Sequence, residues 1–114
     1  METRPSADPS KTAIGHMCGN TDIDYQKAVL DQGVFVNFDR FGLEGEVFHT
    51  PTDDQRIDTL EKLAALGYQD QIMLSHDSVN YQLGRPNIMT PVMKKNMRHA
   101  NIRRIGEYVI PEMK

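Results

Sequence analysis

The chain has 114 residues, of which 39% are hydrophobic and 25% are charged, and its formal net charge is −3. This length allows at most one small domain or a piece of a larger one, and the composition fits a soluble globular chain. The apolar runs are too short for a membrane span, and the net charge argues against general nucleic-acid binding. The single cysteine, Cys18, excludes a disulfide within the chain, and the polar N-terminus has no secretory h-region, so we expect a cytoplasmic location.

The first third of the chain predicts a strand, a helix and a second strand. Residues 1–11 are proline-containing and polar, and predict a flexible lead-in. A short strand is expected at about Thr12–Gly15. A helix follows, capped by one of the polar residues 20–22 and ending near Gln32, where a glycine comes next. The β-branched and aromatic run Val34–Phe38 predicts the second strand.

The next part of the chain repeats this order. Thr52 and Gln55 have the spacing of a capping box, and the helix that they begin is expected to end near Leu66, before Gly67. A third strand is expected at Gln71–Ser75. Because helices separate the three strands, the strands are predicted to be parallel, which indicates an α/β fold.

The remainder is less regular. The stretch at about 78–99 is interrupted by glycine and proline and predicts a long loop. Met89, Met93 and Met97 recur every four residues, and we interpret them as a short packed helix. From residue 78 onward, seven Lys/Arg residues stand against two acids, which indicates either a solvated face or a positive surface that favours an anionic substrate. A last helix is expected from near Asn101. Its apolar stripe comprises Ile102, Ile105, Val109 and Met113.

Two of the predicted strands lead directly into side chains that can do chemistry. The first leads into His16, and the third leads through His76 into Asp77. Parallel strands deliver such groups to one rim of the sheet, where an imidazole and a carboxylate could form a metal or acid/base site. The alternative for His16 is a histidine that is simply satisfied at a strand end. His76 should point to the opposite face from its neighbour Asp77, and we interpret it as structural.

Three further residues near this rim admit more than one interpretation. Asp39 and Arg40 follow the second strand, and they form either a salt bridge or loop cap, or a pocket in which Arg40 binds the polar end of a substrate. Cys18 lies two residues after His16, so a small Cys/His enzyme is conceivable. A buried or loop thiol is the simpler interpretation of Cys18.

Several segments together resemble the phosphotriesterase family of the amidohydrolase superfamily, and the run Asp39-Arg40-Phe41-Gly42 is most similar to its lactonase-type members. The segments that carry the resemblance are Ile14–Met17, Asn20–Tyr25, Gly33–Leu43, Gly67-Tyr68 and Ile72–Asp77. The resemblance implies a (β/α)₈ TIM barrel with two metals at the C-terminal face. Residues 12–114 would supply strands six to eight with their helices, as a partial barrel domain truncated at both ends.

The resemblance also implies roles for the residues that match its motifs. His16 corresponds to a metal-binding histidine, and Asp77 corresponds to a metal-binding aspartate that takes a proton from the attacking hydroxide. The implied activity is hydrolysis of an ester bond, in a lactone or a phosphotriester, by a metal-activated hydroxide. Zinc is the expected metal, although the mixed nitrogen and oxygen ligands would also accept manganese, cobalt or iron. The expected partner is a small-molecule ester or lactone, with no nucleic acid, no membrane and a possible homo-oligomer.

The family's remaining metal ligands have no counterpart in this sequence, and a complete barrel takes about 250 residues. The alternative is therefore a truncated, catalytically inactive chain that has at most a binding or assembly role. We expect the 114 residues alone to be inactive.

Overall fold

The fold is a three-stranded parallel sheet. The computed structural model describes residues 7–44, 49–77, 91, 95 and 98–113. The strands are β1 (Ala13–Ile14), β2 (Phe35–Phe41) and β3 (Ile72–His76), and they lie in the order β1-β2-β3 with both pairs parallel. The predicted α/β class and the parallel arrangement are confirmed.

The two helices between the strands begin where the sequence predicts and end one or two residues earlier than predicted. Helix α1 (Ile23–Leu30) begins at Asp22, whose carboxylate accepts two backbone N–H groups of the first turn. Helix α2 (Asp53–Ala65) begins with the complete capping box of Thr52 and Gln55. No described helix is long and apolar enough to cross a membrane.

One face of the sheet carries the core. Val36 and Phe38 of β2 are fully buried and belong to the same apolar cluster as Leu30 of α1 and Leu63 of α2. Burying a side chain of this size contributes roughly 1.5–3 kcal/mol. Asn37, between them in β2, lies on the other face, and its neighbour Met73 in β3 is 39% exposed there. The two helices therefore cover a single face of the sheet.

Strand β2 is longer than predicted. The prediction ended β2 at Phe38, but the strand continues through Asp39 and Arg40 to Phe41. The register with β3 shifts between Phe38 and Phe41, which is an irregularity of the β-bulge type. Because of this shift Phe41 is buried, although strict alternation from Phe38 would place it on the other face. Asp39 and Arg40 therefore lie within the strand, in the irregular stretch between the paired residues Phe38 and Phe41, and do not belong to a free loop.

The two ends of the described chain also differ from the predictions. Pro9–Lys11, within the predicted flexible lead-in, forms a 3₁₀ turn that Asp8 caps. The last helix begins later than the predicted Asn101 and is π-helical over Ile105–Val109 before an α-helical turn at Ile110–Glu112. Pro111 has no N–H group for the usual i−4 bond, and such a residue favours irregular helix geometry.

The apolar stripe of this last helix is confirmed in part. Val109 is buried, and Ile105 and Met113 pack against the core. Ile102 precedes the helix and is 69% exposed. The predicted methionine helix at 89–97 lies outside the described residues.

Candidate active site

The residues that we expected to act together lie at the C-terminal ends of the three strands. His16 follows β1, Asp39 and Arg40 lie in the last part of β2, and Asp77 follows β3. Because β2 lies between the other two strands, β1 and β3 are about 10 Å apart. The sheet therefore brings these groups to one rim, with the acid and the arginine of β2 between the predicted metal ligands.

His16 is bound to Asp39 by a set of short contacts. The backbone N–H of His16 donates to both carboxylate oxygens of Asp39, at 3.0 and 3.1 Å, and the ring Nδ1 lies 2.8 Å from Oδ1. Since a carboxylate only accepts hydrogen bonds, the proton of the neutral imidazole belongs on Nδ1, and Nε2 keeps its lone pair. Metal-ligating histidines in proteins are usually oriented by such a carboxylate on the other ring nitrogen.

The backbone conformation around His16 allows the close contact with Asp39. His16 itself has φ 60° and ψ 22°, in the left-handed region, and it precedes the 3₁₀ turn Met17–Gly19. A Cβ atom at Gly15 would lie 3.1 Å from Asp39 Oδ2, so the neighbouring glycine allows the carboxylate to approach closely. The Asp39 side chain is 17% exposed and the His16 side chain is 58% exposed. The carboxylate is thus held in place while the ring faces outward.

Asp77 and Arg40 form the second charged pair of the rim. The Nε atom of Arg40 lies 3.8 Å from Asp77 Oδ2, which is close enough for charge attraction but too long for a hydrogen bond. This Nε is buried and has no hydrogen-bond partner among the described residues. Both side chains are partly exposed, at 31% and 40%, so the pair contributes little to stability.

Cys18 does not have the environment of a nucleophile. Its side chain is buried, at 1% exposure, and it belongs to the apolar core beside Met17. Burial raises the pKa of the Cys18 thiol, and the nearby Arg56 guanidinium opposes this only in part. No hydrogen bond joins the Cys18 thiol to His16 among the described residues, and the Nδ1 of that ring contacts Asp39 instead. The structure therefore agrees with the buried-thiol interpretation.

Asp39 is the residue whose part in the site the sequence analysis missed. We considered it only as a salt-bridge partner or cap, whereas its carboxylate binds His16. The sequence placed Asp39 only at the end of the second predicted strand, and its pairing with His16 depends on β1 and β2 being neighbours in the sheet. His76, opposite Phe41 in the register, keeps a buried Nδ1 that has no hydrogen-bond partner among the described residues.

The donor set suits a divalent metal but is incomplete in this part of the chain. A neutral imidazole nitrogen and a carboxylate are ordinary ligands for zinc and its neighbours in the series. Among the described residues no group of three or more His, Cys, Asp or Glu side chains could hold a metal ion. His16 and Asp77 would therefore supply two ligands of a site that needs others.

Comparisons with known proteins agree on one family. The model of the Phosphotriesterase family matches residues 3–114. An aryldialkylphosphatase from Saccharolobus solfataricus is 41% identical over 75 residues, which are 66% of this chain and 23% of that protein.

Solved structures support the same relationship. A mutant of an organophosphorus hydrolase from Deinococcus radiodurans has a TM-score of 0.85 and 40% identity, over 94% of this chain and 32% of that chain. A mutant of a PTE-like lactonase from the same organism has a TM-score of 0.84 and 39% identity, over 93% of this chain and 33% of that chain. The chain thus spans between 23% and 33% of the length of these relatives.

Proposed function

Because the chain belongs to the phosphotriesterase family, whose matched relatives are named hydrolases, we propose that it is part of a metal-dependent hydrolase of small-molecule esters. The substrate would be a lactone or a phosphotriester. The observation that carries this proposal is the His16–Asp39 pair at the C-terminal rim, with Nδ1 and Oδ1 2.8 Å apart.

The chain would form the C-terminal part of a (β/α)₈ barrel, with residues 12–114 as a partial domain. Three features support this assignment: the strands are parallel, both helices cover one face, and the other face carries exposed side chains such as Met73. In a closed barrel that second face lies inside, where residues from the other strands cover it. Strands six to eight would be β1, β2 and β3.

Three residues would have separate roles in the site: His16, Asp39 and Asp77. A bound divalent metal lowers the pKa of water and polarises the ester oxygen. His16 would bind the metal through Nε2, since Asp39 holds the proton of the ring on Nδ1. The carboxylate of Asp77 would be a second ligand and would accept the proton that the attacking water gives up. Zinc is the proposed metal, with manganese, cobalt and iron as alternatives.

Arg40 is the proposed substrate-binding residue. Its side chain lies at the rim and is 31% exposed, so part of the guanidinium is accessible to a ligand there. An arginine in that state can donate to the carbonyl oxygen of a lactone or to a phosphoryl oxygen. The Asp39–Gly42 run is similar to the lactonase-type members, which favours a lactone as the substrate.

The second candidate is an inactive chain that at most assembles with a partner or with a second copy. One observation favours it: the described residues contain no group of three possible metal ligands. Two ligands alone do not close a metal site, which normally takes three or four protein groups.

Hydrolysis assays with added metal distinguish the two candidates. The chain is assayed together with the sequence that would supply the remaining metal ligands, with a simple γ-lactone and with an aryl phosphotriester, in the presence of zinc, manganese, cobalt or iron. His16→Ala and Asp77→Ala should each abolish hydrolysis, whereas Asp58→Ala, at a 62% exposed carboxylate that pairs with Lys62 on α2, should not. Metal-dependent hydrolysis that both site variants lose would support the enzyme. No hydrolysis with any metal would favour the inactive chain.

A further inference from the structure

Asp53 and Arg56, at the beginning of α2, form an ion pair inside the core. Both residues have 0% exposure, and Arg56 Nη1 lies 2.8 Å from Asp53 Oδ1. We call them the buried pair. Charged residues are rarely buried completely, and a buried ion pair is often no more stabilising than apolar residues of the same volume. Stability alone therefore gives no reason for these two charges, and their other contacts matter.

Arg56 contacts both segments that flank the site, the turn after His16 and the residues after β2. Its Nη2 donates to the carbonyl oxygen of Leu43, at 2.8 Å, just after β2. Its Nε faces the carbonyl oxygen of Cys18, at 3.4 Å, in the turn that follows His16. One planar guanidinium thus spans the turn after the histidine and the end of the strand that carries Arg40. A lysine has the charge but not the fork that such a link requires.

Asp53 holds the same region from the other side. Both of its carboxylate oxygens accept the backbone N–H of Gly42, at 2.9 Å, and Oδ2 also accepts from Arg104 Nε at 2.8 Å. Gly42 has φ 93°, and a Cβ atom there would lie 2.1 Å from the carbonyl oxygen of His99. The part of the chain that returns after Asp77 is therefore packed against the same point.

We propose that the buried pair is a positioning device that fixes the turn after His16 relative to the end of β2. In this role Asp53 and Arg56 set the distance between the histidine and the Asp39–Arg40 segment without touching a substrate. The effect on catalysis rests on the proposed function, whereas the structural link between the turn after His16 and the end of β2 does not. Two backbone amides report on it directly. The Gly19 N–H donates to the His16 carbonyl oxygen, and the Leu43 N–H donates to the Arg40 carbonyl oxygen, both at 3.1 Å.

The first test is hydrogen exchange in the metal-free protein. Arg56→Lys keeps a positive charge beside Asp53 and is therefore the variant that is most able to fold. Exchange at the amides of Gly19 and Leu43 should rise by about tenfold relative to the Asp31 amide, which lies in a distant helical turn. Lys62→Met, which removes an exposed ion pair from the same helix, should change none of these ratios.

Equal changes at all three amides, or no change, would overturn the proposal, since the pair would then act only on overall stability. The second test is the visible spectrum of the protein loaded with Co²⁺. Arg56→Lys should shift the bands and Lys62→Met should not, and an unchanged spectrum in Arg56→Lys would refute the link to the metal ligand. If Co²⁺ does not bind even to the unsubstituted protein, the proposed function fails, and the exchange ratios still decide whether the loops are coupled.

Discussion

The contact between Asp39 and His16 leads to the sharpest prediction of the proposed site. Replacing Asp39 with alanine removes the acceptor of both the His16 backbone N–H and the His16 ring. The ring then loses the partner that fixes its tautomer and its orientation. Residues that orient a metal-binding histidine typically change metal affinity by 10–100-fold when they are replaced. We expect the same change in the dissociation constant for zinc in Asp39→Ala.

Two general magnitudes bear on the expected loss of zinc affinity. A 10–100-fold change is about 1.4–2.7 kcal/mol. The Asp39 side chain is only 17% exposed, so water replaces little of the lost interaction, and a charge-assisted hydrogen bond of this kind contributes about 1.5–3 kcal/mol. The two estimates agree. Asp39→Asn keeps an acceptor without the charge and should fall between the alanine variant and the unsubstituted protein.

The assay is a competition titration of zinc against a chromophoric chelator. The matched control is Asp58→Ala, which removes an aspartate that is 62% exposed and pairs with Lys62 outside the site. Asp58→Ala should leave the zinc affinity unchanged. An unchanged zinc affinity in Asp39→Ala, in a protein whose His16→Ala variant loses zinc, would refute the idea that Asp39 orients the ligand.

Three further predictions concern the surroundings of the site. Gly42→Ala should lower the free energy of unfolding by about 2–5 kcal/mol in urea titrations, because a left-handed backbone and a severe backbone clash combine at this position. Cys18 should react slowly with a thiol reagent at neutral pH in the folded protein and rapidly in urea, because the thiol is buried and its pKa is raised. The hydrogen bond from Tyr108 to Asp54, with a smaller contribution from burial, raises the pKa of Tyr108 to about 12. Any stabilisation from that bond should be complete below pH 10.0 and be lost as the pH rises through about 12. Absorbance titration beside Tyr108→Phe checks the pKa, and urea unfolding of both proteins over this pH range checks the stability.

Each of these predictions has its own control. Gly67→Ala tests the backbone conformation alone, since Gly67 has φ 97° and no atom lies within 4 Å of the position that an added Cβ would take. If Gly67→Ala lowers the free energy of unfolding as much as Gly42→Ala does, the clash at Gly42 has no effect. Fast reaction of Cys18 in the folded protein would revive the Cys/His hypothesis. A titration curve that Tyr108→Phe leaves unchanged at high pH would show that this tyrosine is not the shifted group.

Much of the scaffold could be predicted because its signals are local. The capping box at Thr52 and Gln55 and the polar cap at Asp22 depend only on neighbours in the sequence, and both helices begin where these residues indicate. The late end of β2 could not be predicted in this way. Asp39 and Arg40 have poor strand propensity, and they remain in the strand because pairing with β3 continues past an irregularity in the register.

The candidate site could likewise be predicted where its signals are local and not where it depends on tertiary contacts. His16 and Asp77 were identified because each follows a short apolar run, and the strand order confirms that both runs end at one edge. Their partners depend on tertiary contacts between residues that are far apart in the sequence. Asp39 reaches His16 across 23 residues, and Arg104 reaches Asp53 across 51. No periodicity or spacing in the sequence encodes such pairs.

Metal content decides whether His16 and Asp77 are ligands, when it is measured on the purified protein with the remaining ligands present and on its His16→Ala, Asp77→Ala double variant. Both proteins are equilibrated with zinc, passed through a desalting column and analysed for bound metal. The proposed site predicts stoichiometric zinc in the unsubstituted protein and its loss in the double variant. Equal zinc in both proteins, or none in either, would contradict a metal site built on His16 and Asp77.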